Sequence, residues 1–360
     1  MINPECFEKE WFESLKKSFD RNVDVYLLER TIYAFELLCQ LTKINNNFIF
    51  KGGTSLVFLL PTLKRLSIDI DVIGKFSEEE LTSIINNSVF HKLDLDKRTG
   101  DDKIPKKHFK FYYTSKLDSA VKYILLDVLG SENPYSIVTE QPVSNRLFNI
   151  DEKVLVKLPS IDDILGDKLT AFAPRTIGIH YGSDKSLEIL KQLYDIHNLF
   201  NQFSSREITL ASYSKIAAEQ FLYRKLELSV SDSLKDTFNA SVKLCKLDFK
   251  GSIEDDETSE LRKGIKALSG FLISNDFNLQ IAKTAASKAA LLSTLLRFPE
   301  IKINIEELFY NETRLPLLKD FQLPASFGSL NTLKKVNIEA FYYWYLISTL
   351  TDNTDWLSFN

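Results

Sequence analysis

Apolar and polar positions follow two different periods along the chain, and the change falls near residue 158. Before it, short apolar runs predict strands, and after it apolar residues recur at helical spacing. The predicted strands are 48–50, 66–73, 108–114 and 122–128, with shorter edge strands at 136–138 and 154–157. The predicted helices of the second half begin near 160 and continue at 187–200, 206–227, 230–247, 257–274, 278–297 and 335–350.

The first half also contains three predicted helices. Apolar spacing in VYLLERTIYAFELLCQL predicts one helix over 8–42, and a short helix is expected over 55–60. Ser77 and Glu80 have the spacing of a capping box, which predicts a third helix ending near residue 86. We therefore expect an α+β fold, in which a mixed β-sheet with flanking helices is followed by a mainly helical C-terminal lobe.

Length supports a division into two domains. The chain has 360 residues, and a typical domain has about 150. We place the boundary at the change of period, with one domain at 1–157 and a helical lobe at 158–360.

Composition removes several classes of protein. Apolar residues make up 44% of the chain and charged residues 26%, so a disordered or fibrous protein is excluded. The net charge of −4 argues against wholesale coating of nucleic acid, although a local basic surface remains possible. Cys6, Cys39 and Cys245 are far apart, which predicts buried free thiols rather than a zinc site. Because we find neither a signal peptide nor a membrane span, we expect a cytoplasmic protein.

Candidate chemistry is concentrated in residues 48–74, FIFKGGTSLVFLLPTLKRLSIDIDVIG. A predicted strand enters the turn Gly52-Gly53, and a helix follows it. Glycines permit close backbone approach, and amide groups at a helix start suit a phosphate, to which Thr54 and Ser55 add hydroxyl donors. Downstream, Asp69 and Asp71 are two positions apart in a predicted strand, so their carboxylates should share a face. Paired carboxylates suit Mg²⁺, and the combination indicates phosphoryl or nucleotidyl transfer.

A third carboxylate would complete a two-metal site and activate an acceptor hydroxyl. Asp127 is the best candidate, because it is a lone acid in the apolar stretch KYILLDVL. The alternative is an edge-strand acid that faces solvent.

These motifs resemble the AbiEii/AbiGii-type toxin nucleotidyltransferases of type IV toxin–antitoxin systems, a branch of the DNA polymerase β superfamily that includes MenT toxins. The resemblance extends over residues 48–200. It is carried by Gly52, Gly53 and Thr54, by Arg65, Ser67, Asp69 and Asp71, and by Lys168, Ala171 and Arg175. The last family motif, Arg-Asp-hydrophobic-aromatic-Asp, reads KQLYD here. It keeps Asp195 and has Lys191 and Gln192 in place of the Arg-Asp pair.

The resemblance implies roles for these positions. Catalytic roles are expected for Asp69, Asp71, Asp127, Lys168 and Asp195, with metal binding by the first three. Nucleotide binding is expected for Gly52, Gly53, Thr54, Ser55, Arg65, Ser67, Lys168 and Arg175. Asp195 has two open roles, which are to orient Lys168 or to act on the acceptor. The catalytic residues are expected to converge on one cleft, which the first helices of the helical lobe complete.

The expected function is a Mg²⁺-dependent toxin that transfers NMP from an NTP to an acceptor, with the 3′ end of tRNA as the acceptor implied by the MenT resemblance. A cognate antitoxin is the implied partner. Protein nucleotidylation on Ser, Thr or Tyr is one alternative, and a non-catalytic nucleotide- or RNA-binding module is another. Lys103, Lys106, Lys107 and Lys110 alternate with aromatic residues around His108 and suit an RNA backbone and base. An exposed strand with a solvated face explains the same pattern.

Overall fold

The structure is a computed structural model that describes residues 1–86, 88–96, 105–273 and 276–351. The chain divides into two compact units. The first comprises Met1–Ser160 and Gly270–Asp276, and the second comprises Ile161–Ser269 and the chain from Phe277 onwards. The later segment belongs to the first unit because its backbone pairs there. Leu66 N donates to Phe271 O at 2.9 Å, and Arg65 forms a bridge with Leu272.

The first unit contains seven strands and four α-helices among its described residues. The strands are β1 Ile49–Lys51, β2 Ile70–Ile73, β3 Lys92–Leu95, β4 Lys106–Thr114, β5 Val121–Leu129, β6 Val138–Pro142 and β7 Leu155–Pro159. The helices are α1 Lys9–Lys17, α2 Val25–Ile44, α3 Gly52–Leu59 and α4 Glu78–Asn86.

The seven strands form one mixed sheet in the order β3-β4-β5-β2-β1-β7-β6. Parallel pairs join β2 to β5 and β1 to β7, and the other neighbours are antiparallel. The prediction of an edge strand at 154–157 is therefore wrong, because β7 lies between β1 and β6. Strand β3 was not predicted from the sequence. The predicted strand 66–73 is shorter than expected, since β2 begins at Ile70 and Asp69 precedes it.

The two faces of the sheet differ in character. On β4, Phe109, Phe111 and Tyr113 are buried on the face that contributes to the hydrophobic core. Helix α2 packs against β2 and β5, and α4 packs against α2 and β3. Alternate positions of the strands point to the opposite face, which we call the open face. The acidic residues of the candidate site lie on the open face.

The single helix predicted over 8–42 is wrong, because two helices occupy this region. Ser18 caps the C-terminus of α1, and Asp24 caps the N-terminus of α2 by accepting a hydrogen bond from Tyr26 N at 2.9 Å. The three polar residues 20–22 between these caps interrupt the apolar stripe. The capping box at Ser77 is confirmed, since Glu80 N donates to Ser77 Oγ and Ser77 N donates to Glu80 Oε2.

The second unit is helical throughout its described residues, apart from connecting segments and short 3₁₀ turns. Its helices are α5 Ile161–Ala171, α6 Ser186–Phe200, α7 Arg206–Arg224, α8 Val230–Cys245, α9 Asp256–Leu268, α10 Leu279–Arg297, α11 Leu315–Leu318, α12 Leu333–Val336 and α13 Ile338–Thr351. Helix α10 contacts α6, α8 and α13, which explains why nearly all of its residues are buried. The fold is therefore α+β. Across the described ranges, no helix is both long enough and apolar enough to cross a membrane. Cys6, Cys39 and Cys245 are buried free thiols, as predicted.

Candidate active site

The turn between β1 and α3 brings the chain against the carboxylate of Asp71. Gly52 has a φ of +78°, which side chains rarely adopt. A Cβ atom at this position would lie 2.2 Å from Asp71 Oδ2, well inside contact distance. Only glycine therefore allows Asp71 to approach the start of the helix this closely.

The second glycine makes room for an arginine in the same way. A Cβ atom on Gly53 would lie 2.4 Å from a terminal nitrogen of Arg65. Arg65 is buried, and another guanidinium nitrogen donates to Leu66 O at 3.3 Å. A carboxylate and a guanidinium thus lie against consecutive glycines, within one turn of the start of α3.

The two hydroxyl residues after the glycines are also buried. Thr54 Oγ1 donates to Asp69 O at 2.6 Å, and Ser55 Oγ donates to Gly52 O at 2.8 Å. Thr54 therefore fixes the backbone of Asp69 to the start of α3, while Ser55 fixes the glycine turn. Ser67 lies half-buried in the segment that leads to β2. Phosphate binding by these hydroxyls stays a prediction.

Strand register places four polar residues in a row across the open face. Lys51 on β1 pairs with Asp71 on β2, Asp71 pairs with Asp127 on β5, and Asp127 pairs with His108 on β4. Residues directly opposite each other on neighbouring strands share a face. We call these four residues the acid row. Its two carboxylates are neighbours, although 56 positions separate them in the sequence.

Asp127 lies on an internal strand and is 8% exposed, so the solvent-facing edge-strand alternative is wrong. Both of its carboxylate oxygens have partners. His108 Nδ1 lies 2.5 Å from Oδ1, and Lys106 Nζ lies 2.7 Å from Oδ2. The sequence analysis missed these two partners. The spacing of Lys106 and His108, two positions apart in one strand, is the signal that they share a face.

The donor chemistry of the site fits a hard cation. Among the described residues, no group of three His, Cys, Asp or Glu side chains is arranged to hold a metal by itself. Mg²⁺ commonly takes only one or two carboxylates and completes its shell with water and substrate phosphate oxygens. Asp71 beside Asp127, with Asp69 at the start of β2, supplies that kind of donor set. A two-metal arrangement and a metal contact by Asp127 stay predictions.

The second unit contains a buried ion pair between two of the predicted site residues. Lys168 on α5 donates to Asp195 Oδ2 at 2.9 Å and to Gln192 Oε1 at 3.1 Å, both on α6. Lys168 is 6% exposed and Asp195 is 1% exposed. Asp195 therefore contacts Lys168, and the choice between its two open roles stays a prediction. Gln192 occupies a position where the family motif has Asp, so a neutral amide replaces a second carboxylate next to Lys168.

Arg175 follows α5 and has a different partner. Its Nε and one terminal nitrogen donate to the two carboxylate oxygens of Glu257 at 3.0 and 2.8 Å. The hydrogen bonds to Glu257 raise the pKa of Arg175 above its ordinary value, so the guanidinium group is always charged. The structure does not bring Arg175 to the Lys168–Asp195 pair, and nucleotide binding by Arg175 stays a prediction.

The lysine-rich strand β4 has one polar and one apolar face. Phe109 and Phe111 are in the core and are not accessible to a nucleic-acid base. Lys106, His108, Lys110 and Tyr112 face the other way, in register with Asp127 and Tyr123 of β5. Lys103, which the sequence analysis grouped with them, lies outside the described residues.

A glycine turn at a helix start, beside paired acids on adjacent strands, is the arrangement expected of a nucleotidyltransferase. The sequence matches the family model described as nucleotidyl transferase AbiEii toxin, type IV TA system, over residues 36–276. This is about two thirds of the chain, and the protein belongs to this family of toxin nucleotidyltransferases. An NTP substrate and an antitoxin partner follow from membership.

Two solved structures are similar to this chain. JHP933 from Helicobacter pylori has 15% sequence identity, with 81% of this chain and 99% of that chain covered and a TM-score of 0.43. An antigenic nucleotidyltransferase-like protein from Paracoccidioides brasiliensis has 16% identity, with coverage of 58% and 93% and a TM-score of 0.36. No curated protein matches the sequence.

The close approach of Gly52 to Asp71 predicts the effect of a single methyl group. Gly52→Ala should reduce nucleotidyl transfer at least about tenfold, because the new Cβ atom displaces the Asp71 carboxylate. Gly182→Ala is the matched control, since Gly182 has a φ of +74° and a methyl group there would meet no atom within 4 Å. Backbone strain of about 1–3 kcal/mol should lower the stability of both variants. Urea unfolding and transfer rates measure the two effects, and equal activity in both variants would contradict the role of the close approach.

Proposed function

We propose that the protein is a Mg²⁺-dependent toxin that transfers NMP from an NTP to the 3′ end of tRNA in the cytoplasm. The observation that supports the chemistry is the acid row, in which Asp71 and Asp127 are neighbours beside the Gly52 turn. The support for an RNA acceptor is the lysine- and tyrosine-bearing open face of β4 and β5, together with the resemblance to MenT toxins.

The triphosphate is bound at the start of α3. Amide groups at a helix start favour an anion, and the absence of side chains on Gly52 and Gly53 lets a phosphate approach the backbone. Arg65 lies against Gly53 and adds positive charge at this turn. Asp69 and Asp71 would hold Mg²⁺ together with phosphate oxygens, and Asp127 would complete the donor set. The ion would neutralise charge that develops on the triphosphate.

In this proposal Asp127 also accepts a proton. The acceptor oxygen forms a bond to the α-phosphorus as the bond to the pyrophosphate oxygen breaks, and the hydroxyl proton passes to the Asp127 carboxylate. Lys106 and His108 hold that carboxylate in a fixed orientation. Fixed orientation of a catalytic base lowers the entropic part of the barrier.

Lys168 supplies a further cation for the triphosphate. Lys168 would contact a phosphate oxygen of the triphosphate while it keeps its ion pair with Asp195. Gln192 accepts a hydrogen bond from Lys168 without neutralising it, and Asp195 holds it in place.

Radiolabelled NTPs test both the identity of the acceptor and the role of Asp69 and Asp71. Wild-type protein, Mg²⁺ and each α-labelled NTP are incubated with total RNA or with total protein. We expect label at the 3′ end of tRNA. Asp69→Asn and Asp71→Asn should each reduce transfer at least about 10³-fold, because several kcal/mol of charge stabilisation is lost.

Asp151→Asn is the control for these variants, because Asp151 is an exposed acid outside the site. It should retain wild-type transfer. Label on Ser, Thr or Tyr of proteins, with none on RNA, would replace the tRNA acceptor by protein nucleotidylation. Near-normal transfer by Asp71→Asn would contradict the proposed metal site.

Lys168 has a matched control within the same unit. Lys288 is 3% exposed and contacts Glu339 at 3.4 Å and Asn201 at 3.0 Å, so it too is a buried lysine with one acid and one amide partner. We expect Lys168→Met and Lys288→Met both to lower the melting temperature, because each removes a buried cation that contacts an acid.

The two variants should differ when Mg²⁺–NTP is added. A ligand at a hundredfold excess over its Kd stabilises the folded state by about 2.7 kcal/mol, which raises the melting temperature. Lys288→Met should retain the full rise seen in the wild type, whereas Lys168→Met should show a smaller one. A thermal-shift titration measures both, and a full rise in Lys168→Met would show that Lys168 does not contact the triphosphate.

A further inference from the structure

The open face has a second feature beyond the acid row. Tyr112 on β4 and Tyr123 on β5 are direct register partners, and their ring centroids are 5.8 Å apart. Each ring has a lysine beside it. Lys92 Nζ lies 4.8 Å from the Tyr112 ring centroid, and Lys110 Nζ lies 5.0 Å from that of Tyr123. We call these four residues the tyrosine–lysine platform.

We propose that the tyrosine–lysine platform binds the single-stranded 3′ segment of the RNA acceptor, with bases stacked on the tyrosine rings and phosphates bound by the lysines. This inference rests on the proposed function, since it assumes an RNA acceptor. It adds the surface that holds the RNA, which the nucleotide-binding motifs do not include.

The position of the platform supports this use. Tyr123 and Asp127 are four residues apart on β5 and share the open face, so about 13 Å of strand separates them. On β4, Tyr112 and His108 have the same relation. An RNA strand that follows β4 and β5 from the tyrosines therefore reaches the acid row with its terminal hydroxyl. Tyr112 and Tyr123 of the platform therefore lie on the same face of the same two strands as His108 and Asp127 of the acid row.

Packing of the core does not explain why the two platform positions are occupied by tyrosine. Tyr123 is 37% exposed, whereas Phe111 and Tyr113 of the neighbouring strand are fully buried in the core. Burial and a hydrogen bond with Asp94 raise the pKa of Tyr112, so its hydroxyl group remains protonated. Neutral rings with an exposed face suit base stacking, which does not depend on base identity.

The lysines of the platform have acidic neighbours. Lys92 contacts Asp94 at 2.6 Å, and Lys110 contacts Asp96 at 3.2 Å. The pair of Lys92 and Asp94 is exposed, and exposed ion pairs contribute little to stability, so a phosphate can replace Asp94 as the partner of Lys92. The same acids reduce the positive charge of the face, which agrees with an acceptor that is bound at only a few phosphates.

Binding is measured without catalysis, which separates this inference from the proposed function. A fluorescently labelled single-stranded RNA with the sequence of a tRNA 3′ end is mixed with the full chain in the absence of NTP. Fluorescence anisotropy then measures how tightly this RNA binds. We expect Tyr123→Ser to weaken binding about tenfold and Tyr123→Phe to bind as the wild type does, since a Phe ring also stacks. Lys110→Gln should lower the slope of log K against log salt concentration by about 0.7, the value for one phosphate contact on a single strand.

The chain offers a matched control in Tyr26. It is 41% exposed, and Lys122 Nζ lies 4.1 Å from its ring centroid, so it is another tyrosine–lysine pair of the same unit. Tyr26→Ser should leave RNA binding unchanged. An equal loss in Tyr26→Ser and Tyr123→Ser, or no loss in Tyr123→Ser, would overturn the platform.

The transfer assay then distinguishes the two claims. If wild-type protein labels tRNA and Tyr123→Ser does so with an unchanged KM for tRNA, the platform is wrong and the proposed function stands. If wild-type protein labels no RNA, the proposed function fails. If wild-type protein also fails to bind the oligonucleotide, the platform fails with it. If the platform is correct, Tyr123→Ser raises the KM for tRNA about tenfold, and its KM for NTP stays at the wild-type value.

Discussion

The contact between Gly52 and the Asp71 carboxylate is the constraint on which the candidate site depends. It fixes the distance between the start of α3 and strand β2, because any larger residue would collide with Asp71 Oδ2. Thr54 joins the same two segments, because its hydroxyl group in α3 donates to Asp69 O, just before β2. Backbone packing therefore fixes the glycine turn beside the Asp71 carboxylate, where the proposed function requires a phosphate and a cation to be neighbours.

Each of the two units contains a buried charged residue that is paired with other side chains. In the first unit, Lys106 and His108 contact both oxygens of Asp127, so the carboxylate proposed as the catalytic base is held by residues of the neighbouring strand. In the second unit, Asp195 and Gln192 hold Lys168. Burying charged groups is costly even when they are paired, and fold stability alone rarely requires it. The positions of these pairs are consistent with groups kept ready for a charged substrate.

Local sequence predicted the parts of the site that lie close together in the chain. The glycine turn, the helix after it and the Asp-x-Asp pair needed only spacing and residue type, and Gly52 lies where that reasoning placed it. The neighbours of Asp127 could not be found this way. Its contacts with Asp71 and His108 depend on strand register, which is set by packing of the whole sheet and not by spacing. Strand order also depends on packing of the whole sheet, and for this reason β7 was wrongly expected at an edge. The break between α1 and α2 depends on the caps at Ser18 and Asp24, which the apolar pattern does not show.

In the proposed mechanism, Asp69 and Asp71 hold a divalent ion on the triphosphate of an NTP. Anomalous diffraction locates such an ion in crystals of the full chain grown with Mn²⁺ and an NTP analogue that is not cleaved. We expect an anomalous peak within coordination distance of carboxylate oxygens of Asp69 and Asp71, with the triphosphate at the start of α3. A triphosphate bound at another place, or Mn²⁺ bound without contact to either carboxylate, would contradict it.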